Sequence, residues 1–299
     1  MKASPDSLDG EKPALRIRAR SRAGGGAARL VETPCALAIG GLDPGGGAGI
    51  AADLRAFAAA GVFGCAALAV LTVQSTAGVR SARALAASEV IAQAGEVLRH
   101  QRVRAVKVGA LGSQANVRAV ARLLGRHRDI PVVVDTPMRP TRGKARLLAE
   151  GALAALRDEL MPRATLVTVN LDEAEVLVGE AVRTVGEAHD AARALSRTGA
   201  RAVLVKGGHL RGASGSSAID VLAIGGEVVE LRARRLNLPA VHGTGCTLAS
   251  LVAGRLAARV GLRLDADQLV SAIRWAKHLH HTALGRTVDV GGSMRALMF

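Results

Sequence analysis

Two glycine-rich stretches put reactive side chains beside backbone that an anion can approach. His242-Gly243-Thr244-Gly245-Cys246-Thr247-Leu248 opens an apolar run whose spacing predicts a helix over 244–260. The first N–H groups of a helix have no intrahelical acceptor, and the helix dipole adds partial positive charge there. Gly243 and Gly245, on either side of Thr244, lack the side chains that would hold an anion away. Cys246 lies in the same field, so its thiol is expected to titrate below the usual value and to supply a thiolate base. An anion hole beside a candidate base is what phosphoryl transfer requires. Taken alone, a strand-to-helix turn over a buried cysteine accounts for the stretch equally well.

The second stretch is Gly40-Gly41-Leu42-Asp43-Pro44-Gly45-Gly46-Gly47-Ala48-Gly49, between the apolar Cys35-Ala36-Leu37-Ala38-Ile39 and a helical segment over 50–60. Strand, glycine loop and helix in this order place a ligand at the carboxyl end of a sheet strand. No Gly-Lys-Ser/Thr follows, and the spacing is not Gly-x-Gly-x-x-Gly, so neither common nucleotide fingerprint applies. Further polar residues recur just after apolar runs: Gln74 with Ser75 and Thr76, Asp135, Asn170 with Glu173, and Lys206 with His209. Each alone reads as a cap or turn residue. Their shared place at strand ends points to one ligand-binding edge.

The elements that must position these residues alternate. Strands are expected over 65–73, 104–109, 131–135, 165–169 and 201–206, with helices over 89–100, 116–124 and 147–160 and another opening at Asn170. A β-hairpin is expected around Gly225-Gly226, and helices over 244–260 and 266–284 close the series. This pattern specifies a single α/β domain around a mostly parallel sheet, over 34–285. Residues 1–33 mix Pro, Ser, Gly and charge without apolar period and are expected as a disordered tail, and 286–299 as a C-terminal tail.

Composition excludes several classes. The chain has 299 residues, 49% of them hydrophobic, with no apolar run long enough to span a bilayer and no apolar segment near Met1 of signal-peptide type. Cys35, Cys65 and Cys246 show neither a CxxC pair nor metal-ligand spacing, so reduced thiols and a cytoplasmic location are expected. The net charge of +15 invites a nucleic-acid partner, but the arginines are mostly scattered, tyrosine is absent and aromatics are 1%. Base-stacking platforms are therefore nearly missing, and no specific nucleic acid is expected.

Taken together in this order, the motifs identify a resemblance. The segments are Ala38–Ile50, Ala52–Phe57, Leu71–Thr76, Lys107–Gly109, Asn170–Glu175, Val205–Leu210 and His242–Thr247. From about Cys35 to His281 the chain resembles the ribokinase-like kinases, and within them the hydroxymethylpyrimidine/phosphomethylpyrimidine kinases of thiamine biosynthesis. The resemblance implies a three-layer αβα sandwich. It also implies ATP-dependent phosphorylation of 4-amino-5-hydroxymethyl-2-methylpyrimidine and then of its monophosphate, with Mg²⁺. By position, Gln74 would bind the aminopyrimidine, with Gly41, Ala48 and Asp53 shaping the pocket. Asn170 and Lys206 would serve ATP, and Glu173 with Asp135 the metal. Gly243, Thr244, Gly245 and Cys246 would form the catalytic anion hole, with Cys246 where most sugar kinases of the superfamily carry an aspartate base. The partners implied are the small aminopyrimidine, no membrane and, as an open option, a second copy in a homodimer. The chain departs from the family pattern at Ala51, Ala110, the segment 135–144 and Ala240-Val241. A roomier pocket at Ala110 keeps a pyridoxal or pyridoxine kinase as the alternative, beside a non-catalytic pyrimidine-binding relative.

Overall fold

The computed structural model describes residues 32–135, 137–140, 142–143, 145–208, 210, 217–259 and 264–299. The strands of its main sheet are β1 (Cys35–Leu42), β2 (Phe63–Ser75), β3 (Gly78–Ala84), β4 (Val103–Val108), β5 (Val132–Asp135), β6 (Leu166–Asn170), β7 (Ala202–Lys206), β8 (Ser217–Ile224) and β9 (Glu227–Arg234). They lie side by side in the order β3-β2-β1-β4-β5-β6-β7-β8-β9. From β2 to β7 every pairing is parallel, while β3 at one edge and the β8–β9 hairpin at the other are antiparallel.

Strand residues alternate between two apolar layers, as a period of two requires of a sheet covered on both faces. Val132 and Val134 face one layer and Val133 the other. The first layer is closed by α2 (Ala87–His100), α3 (Gln114–Leu124), α5 (Leu171–Val178) and α6 (Val185–Ser196), through residues such as Val90, Val117, Leu177 and Leu195. The second is closed by α1 (Gly49–Ala59), α7 (Thr244–Ala257) and α8 (Ala266–Leu284), through Phe57, Leu251, Leu256 and Ile273. This is the three-layer arrangement expected. Pro34–Phe299 forms one compact unit. No helix among the described residues is long and apolar enough to cross a membrane.

Four local features differ from the sequence expectations or extend them. The strand β3 carries no clear strand signal, because its Gly78-Val79-Arg80-Ser81-Ala82-Arg83 composition is largely polar; it is stabilised by pairing along Val70–Ser75 of β2. The helix expected over 147–160 is instead a broken stretch: a 3₁₀ turn at Glu150–Ala152, a single turn α4 (Leu153–Ala155), a π turn at Leu156–Leu160 and a 3₁₀ turn at Met161–Arg163. Gly151 is a poor helix former and Pro162 removes a donor, so a continuous helix has weak local support there. Helix α6 was not singled out, although a Thr184/Glu187 capping box marks its start.

The segment 286–299, expected as a tail, is packed down. Within it β11 (Arg295–Ala296) pairs in parallel with β10 (Val241–His242), and Met294, Ala296 and Leu297 are buried. Thr76 donates to the Gly291 carbonyl at 2.7 Å, and Ser293 donates to the Thr76 carbonyl at 3.1 Å. The Thr76 and Ser293 hydroxyls, the backbone pairing with β10 and three buried apolar side chains hold this segment beside the end of β2. The stretch 1–31, which covers most of the expected N-terminal tail, lies outside the described residues, as does His209.

Candidate active site

Between β1 and β4 the chain changes direction across the sheet: from β1 it runs outward through β2 to β3, then returns to β4 and proceeds the other way. Loops leaving the carboxyl ends of two such strands diverge and open a crevice. Gly40 and Gly109 face each other there, and a Cβ on Gly40 would lie 3.6 Å from the Gly109 Cα. The glycine loop after β1 and the turn before α7 close over this crevice. Gly243 caps α7 with φ +72°, and a Cβ on it would stand 2.0 Å from the Gly47 carbonyl oxygen. Only glycine combines that backbone angle with that approach. The turn is half-buried from Gly243 to Cys246, whereas the helix beyond it is mostly buried, and the first N–H groups of a helix have no intrahelical acceptor.

Two ammonium groups flank this helix start. Lys107, on β4, is 1% exposed, and its Nζ donates to Asp53 Oδ1 at 3.0 Å and Oδ2 at 3.1 Å. Ser250 Oγ, from α7, donates to the same Asp53 Oδ1 at 2.7 Å. Burial by itself would depress the Lys107 ammonium, but Asp53, Cys246 and Asp135 hold it above the usual lysine value. Lys206, at the end of β7, donates to Asp135 Oδ1 at 3.0 Å, and Thr168 Oγ1 donates to that oxygen at 2.9 Å. A Cβ on Gly245 would meet Lys206 Nζ at 3.0 Å, which places the ammonium against the α7 turn. Burial works to raise Asp135, but Lys206 and Lys107 outweigh it and keep the carboxyl below its ordinary value.

The structure gives the expected residues these surroundings. Asp53, expected to shape the substrate pocket, is 0% exposed, with its oxygens engaged by Lys107 and Ser250. Asn170 and Glu173 form a capping box at the start of α5: Glu173 N donates to Asn170 Oδ1 and Asn170 N to Glu173 Oε2, each at 2.8 Å. Glu173 is 6% exposed, and burial pushes its carboxyl up to about 7 against the pull of Lys206. Gly41 is buried against Val70 and Ala110, and Ala48 N donates to Asp43 Oδ2 at 2.8 Å. Gln74 is half-buried in the last part of β2.

Cys246 reverses the expectation for its thiol. Burial pushes it up to about 12, with Asp135 and Asp53 adding to the rise, against the pull of Lys107 and a hydrogen bond from the Gly49 backbone. The helix field is real, but desolvation and two nearby carboxylates outweigh it. Alkylation of Cys246 by iodoacetamide should therefore be slow at neutral pH and still climbing above pH 10. A rate already at its plateau near pH 8 would restore the thiolate reading. Three contributors were not assigned from the sequence: Lys107, His242 and Thr168. A lysine inside the apolar run Ala105-Val106-Lys107-Val108 was the available signal for the first, since a buried charge demands a partner.

Known proteins bear directly on this geometry. A sequence profile of the family described as phosphomethylpyrimidine kinase matches residues 43–297. The chain belongs to this family. It is 42% identical over 255 residues to the hydroxymethylpyrimidine/phosphomethylpyrimidine kinase of Rhizobium meliloti strain 1021, covering 84% of this chain and 91% of that one. Among solved structures it is similar to phosphomethylpyrimidine kinase from Clostridium difficile 630, at TM-score 0.69 and 29% identity, covering 84% of this chain and 99% of that one. It is also similar to an ADP complex of Bacillus subtilis pyridoxal kinase, at TM-score 0.77 and 28% identity, covering 89% and 97%. The match extends through the packed segment after α8, which is part of the family's shared length.

Proposed function

We propose that this kinase transfers the terminal phosphoryl group of ATP to the hydroxymethyl oxygen of 4-amino-5-hydroxymethyl-2-methylpyrimidine, and then to the resulting monophosphate, in thiamine diphosphate biosynthesis. The observation that carries the reading is the half-buried start of α7 flanked by the Lys107 and Lys206 ammonium groups, on the same sheet edge as Gln74. In a loose phosphoryl-transfer transition state most of the catalysis is positioning and charge stabilisation. The N–H groups of Gly243 to Cys246 and the Lys206 ammonium would take the charge on the transferring group. Gln74, with Gly41 and Ala48 beside it, would hold the ring, since a carboxamide donates and accepts side by side. Asn170 would lie along the ATP phosphates. Burial raises the Cys246 thiol, so the anion hole would carry more of the rate than a resident thiolate base.

The residues present fit Mg²⁺ in its usual form. Asp135 and Glu173 are buried carboxylates beside Lys206, and no group of three or more ligating His, Cys, Asp or Glu occurs among the described residues. Mg²⁺ keeps several waters and leans on substrate phosphates, so two carboxylates would suffice on the protein's side. Asp135 and Glu173 would hold it from one side, and it would neutralise charge on the ATP phosphates. The reading also includes a cytoplasmic enzyme that binds no specific nucleic acid, with a homodimer as its assembly.

ADP release measured with the pyrimidine alcohol, its monophosphate and pyridoxal tests the reading. Turnover is expected on the first two. Turnover on pyridoxal alone would favour the second reading, pyridoxal kinase, which the likeness to the Bacillus subtilis structure and the small Ala110 side chain beside Gly41 support. Turnover on none would leave a pyrimidine-binding relative. Gln74→Ala should cost about 1–3 kcal/mol of pyrimidine affinity, the penalty of leaving the ring edge unpaired. By calorimetry ATP affinity should not move; equal losses for both ligands would mean a folding defect.

A further inference from the structure

The backbone that leads into the Gly243 turn lies outside the main sheet. Strand β10 ends at His242, immediately before Gly243, and its ladder partner among the described residues is β11 alone. Arg295 N donates to the Ala240 carbonyl at 3.0 Å. Val288 and Ala296 exchange backbone hydrogen bonds at 3.0 Å each, which closes the C-terminal segment into a loop behind that pairing. Arg295 is exposed, while Met294, Ala296 and Leu297 are buried. Buried side chains on both sides of Arg295 thus fix the register in which the segment meets β10.

The same segment grips the end of β2. Thr76, just beyond Gln74 and Ser75, is 7% exposed. Its hydroxyl donates to the Gly291 carbonyl at 2.7 Å, and its own carbonyl accepts the Ser293 hydroxyl at 3.1 Å. Gly292, between them, has φ +82°, and a Cβ on it would stand 2.0 Å from Thr76 Oγ1, so this close approach requires glycine. Asp289 Oδ1 accepts the Gly291 N–H at 2.9 Å and steadies the turn. From Gly291 to Ala296 the segment therefore runs from the end of β2 to β10. The side chains of those two strands meet as well: His242 Nε2 lies 2.9 Å from the Gln74 amide and 2.8 Å from Asp43 Oδ2.

We propose that the segment from Val288 to Leu297 is a positioning element for phosphoryl transfer: it sets the Gly243 turn at a fixed distance from the Gln74 end of β2. Thr76 is the positioning residue at one end, and the Arg295 backbone serves at the other. This rests on the pyrimidine reading above, in which the ring lies at Gln74 and the transferring phosphoryl group at Gly243 to Cys246. The hydroxymethyl oxygen has to bridge those two places. A displacement of about 1 Å, even one imposed from outside the reacting centre, can cost about 10²-fold in rate. A strand as short as β10 has few hydrogen bonds with which to hold that precision. The ladder to β11 and the grip on Thr76 supply what the main sheet does not.

The test compares Arg295→Pro with Arg295→Ala in the full chain. Proline removes the N–H given to Ala240 and alanine keeps it, while both remove the same exposed side chain. Relative to Arg295→Ala, Arg295→Pro should lower kcat by about 10²-fold. KM for ATP and for the pyrimidine should stay within about twofold, because the loss falls on the transition state. Thr76→Val removes the hydroxyl at the other end and should lower kcat about tenfold, and Thr76→Ser, which keeps the donor, should regain most of it. A folded Arg295→Pro protein with the kcat of Arg295→Ala overturns the proposal, as does a loss confined to KM. Should Arg295→Pro not fold, Thr76→Val against Thr76→Ser decides by the same readings. Hydrogen exchange at the backbone amides of Gly243 to Cys246 is read independently of turnover: faster exchange in Arg295→Pro than in Arg295→Ala supports the tie, and equal rates overturn it. Should wild type phosphorylate neither pyrimidine, the functional reading fails, while the exchange rates still decide whether the segment holds the turn.

Discussion

Replacing Asp53 by Asn is expected to destabilise the protein by about 3–5 kcal/mol, the cost of removing one partner from a buried ion pair. Lys107 would keep its charge or give it up inside a site that is 1% exposed, where Asp53 supplies the acceptors for its Nζ at 3.0 and 3.1 Å and also takes the Ser250 proton. The pair ties β4 to α1, and Ser250 ties α7 to both, so the loss falls on the contact that seats α7. Urea unfolding of the single variant measures the cost. Asp53→Leu combined with Lys107→Met removes both charges and should recover more than half of it, since an apolar pair of similar size replaces a buried ion pair at little net penalty. A single-variant loss below about 1 kcal/mol would mean that water reaches the pair or that it is neutral.

Lys206→Met should lower kcat by about 10²–10³-fold, the range found when one preorganised donor is taken from a site that stabilises transition-state charge. The ammonium is held by Asp135 at 3.0 Å and stands against the Gly245 turn, so it needs little reorganisation when charge develops there. The single variant also strands the Asp135 carboxylate, which is 3% exposed. Lys206→Met with Asp135→Asn separates the two effects. The double variant should regain thermal stability without regaining turnover. Recovery of both together would make Lys206 a structural counter-ion and move the phosphate site elsewhere. Cys246→Ala makes a useful contrast. A resident general base is worth about 10²–10⁴-fold, and a thiol held near 12 predicts a loss below the lower end of that range.

The sequence by itself determined the layered α/β architecture, because valine and alanine runs bounded by glycine read as strands covered on both faces and the intervening segments read as helices. It also marked a candidate ligand edge, since Asp43, Gln74, Asp135, Asn170 and Lys206 each follow or end an apolar run. It could not determine charge states or partners that depend on residues far apart in the chain. Cys246 lies at a helix start, which argues for a low pKa, yet burial and the carboxylates of Asp53 and Asp135 push it up to about 12. Those carboxylates lie 193 and 111 positions away in sequence, and no local pattern announces them. Asp53 matched a ligand-pocket position by motif, but its oxygens are taken by Lys107 and Ser250. His242 opened the most legible motif in the chain, and only tertiary packing joined it to Asp43 and Gln74. The segment after α8 lacks apolar period, so its docking beside Thr76 came from backbone pairing with β10 and from Met294, Ala296 and Leu297 finding a buried place. Local sequence sets which backbone forms each element; desolvation and long-range pairing set what each side chain can do.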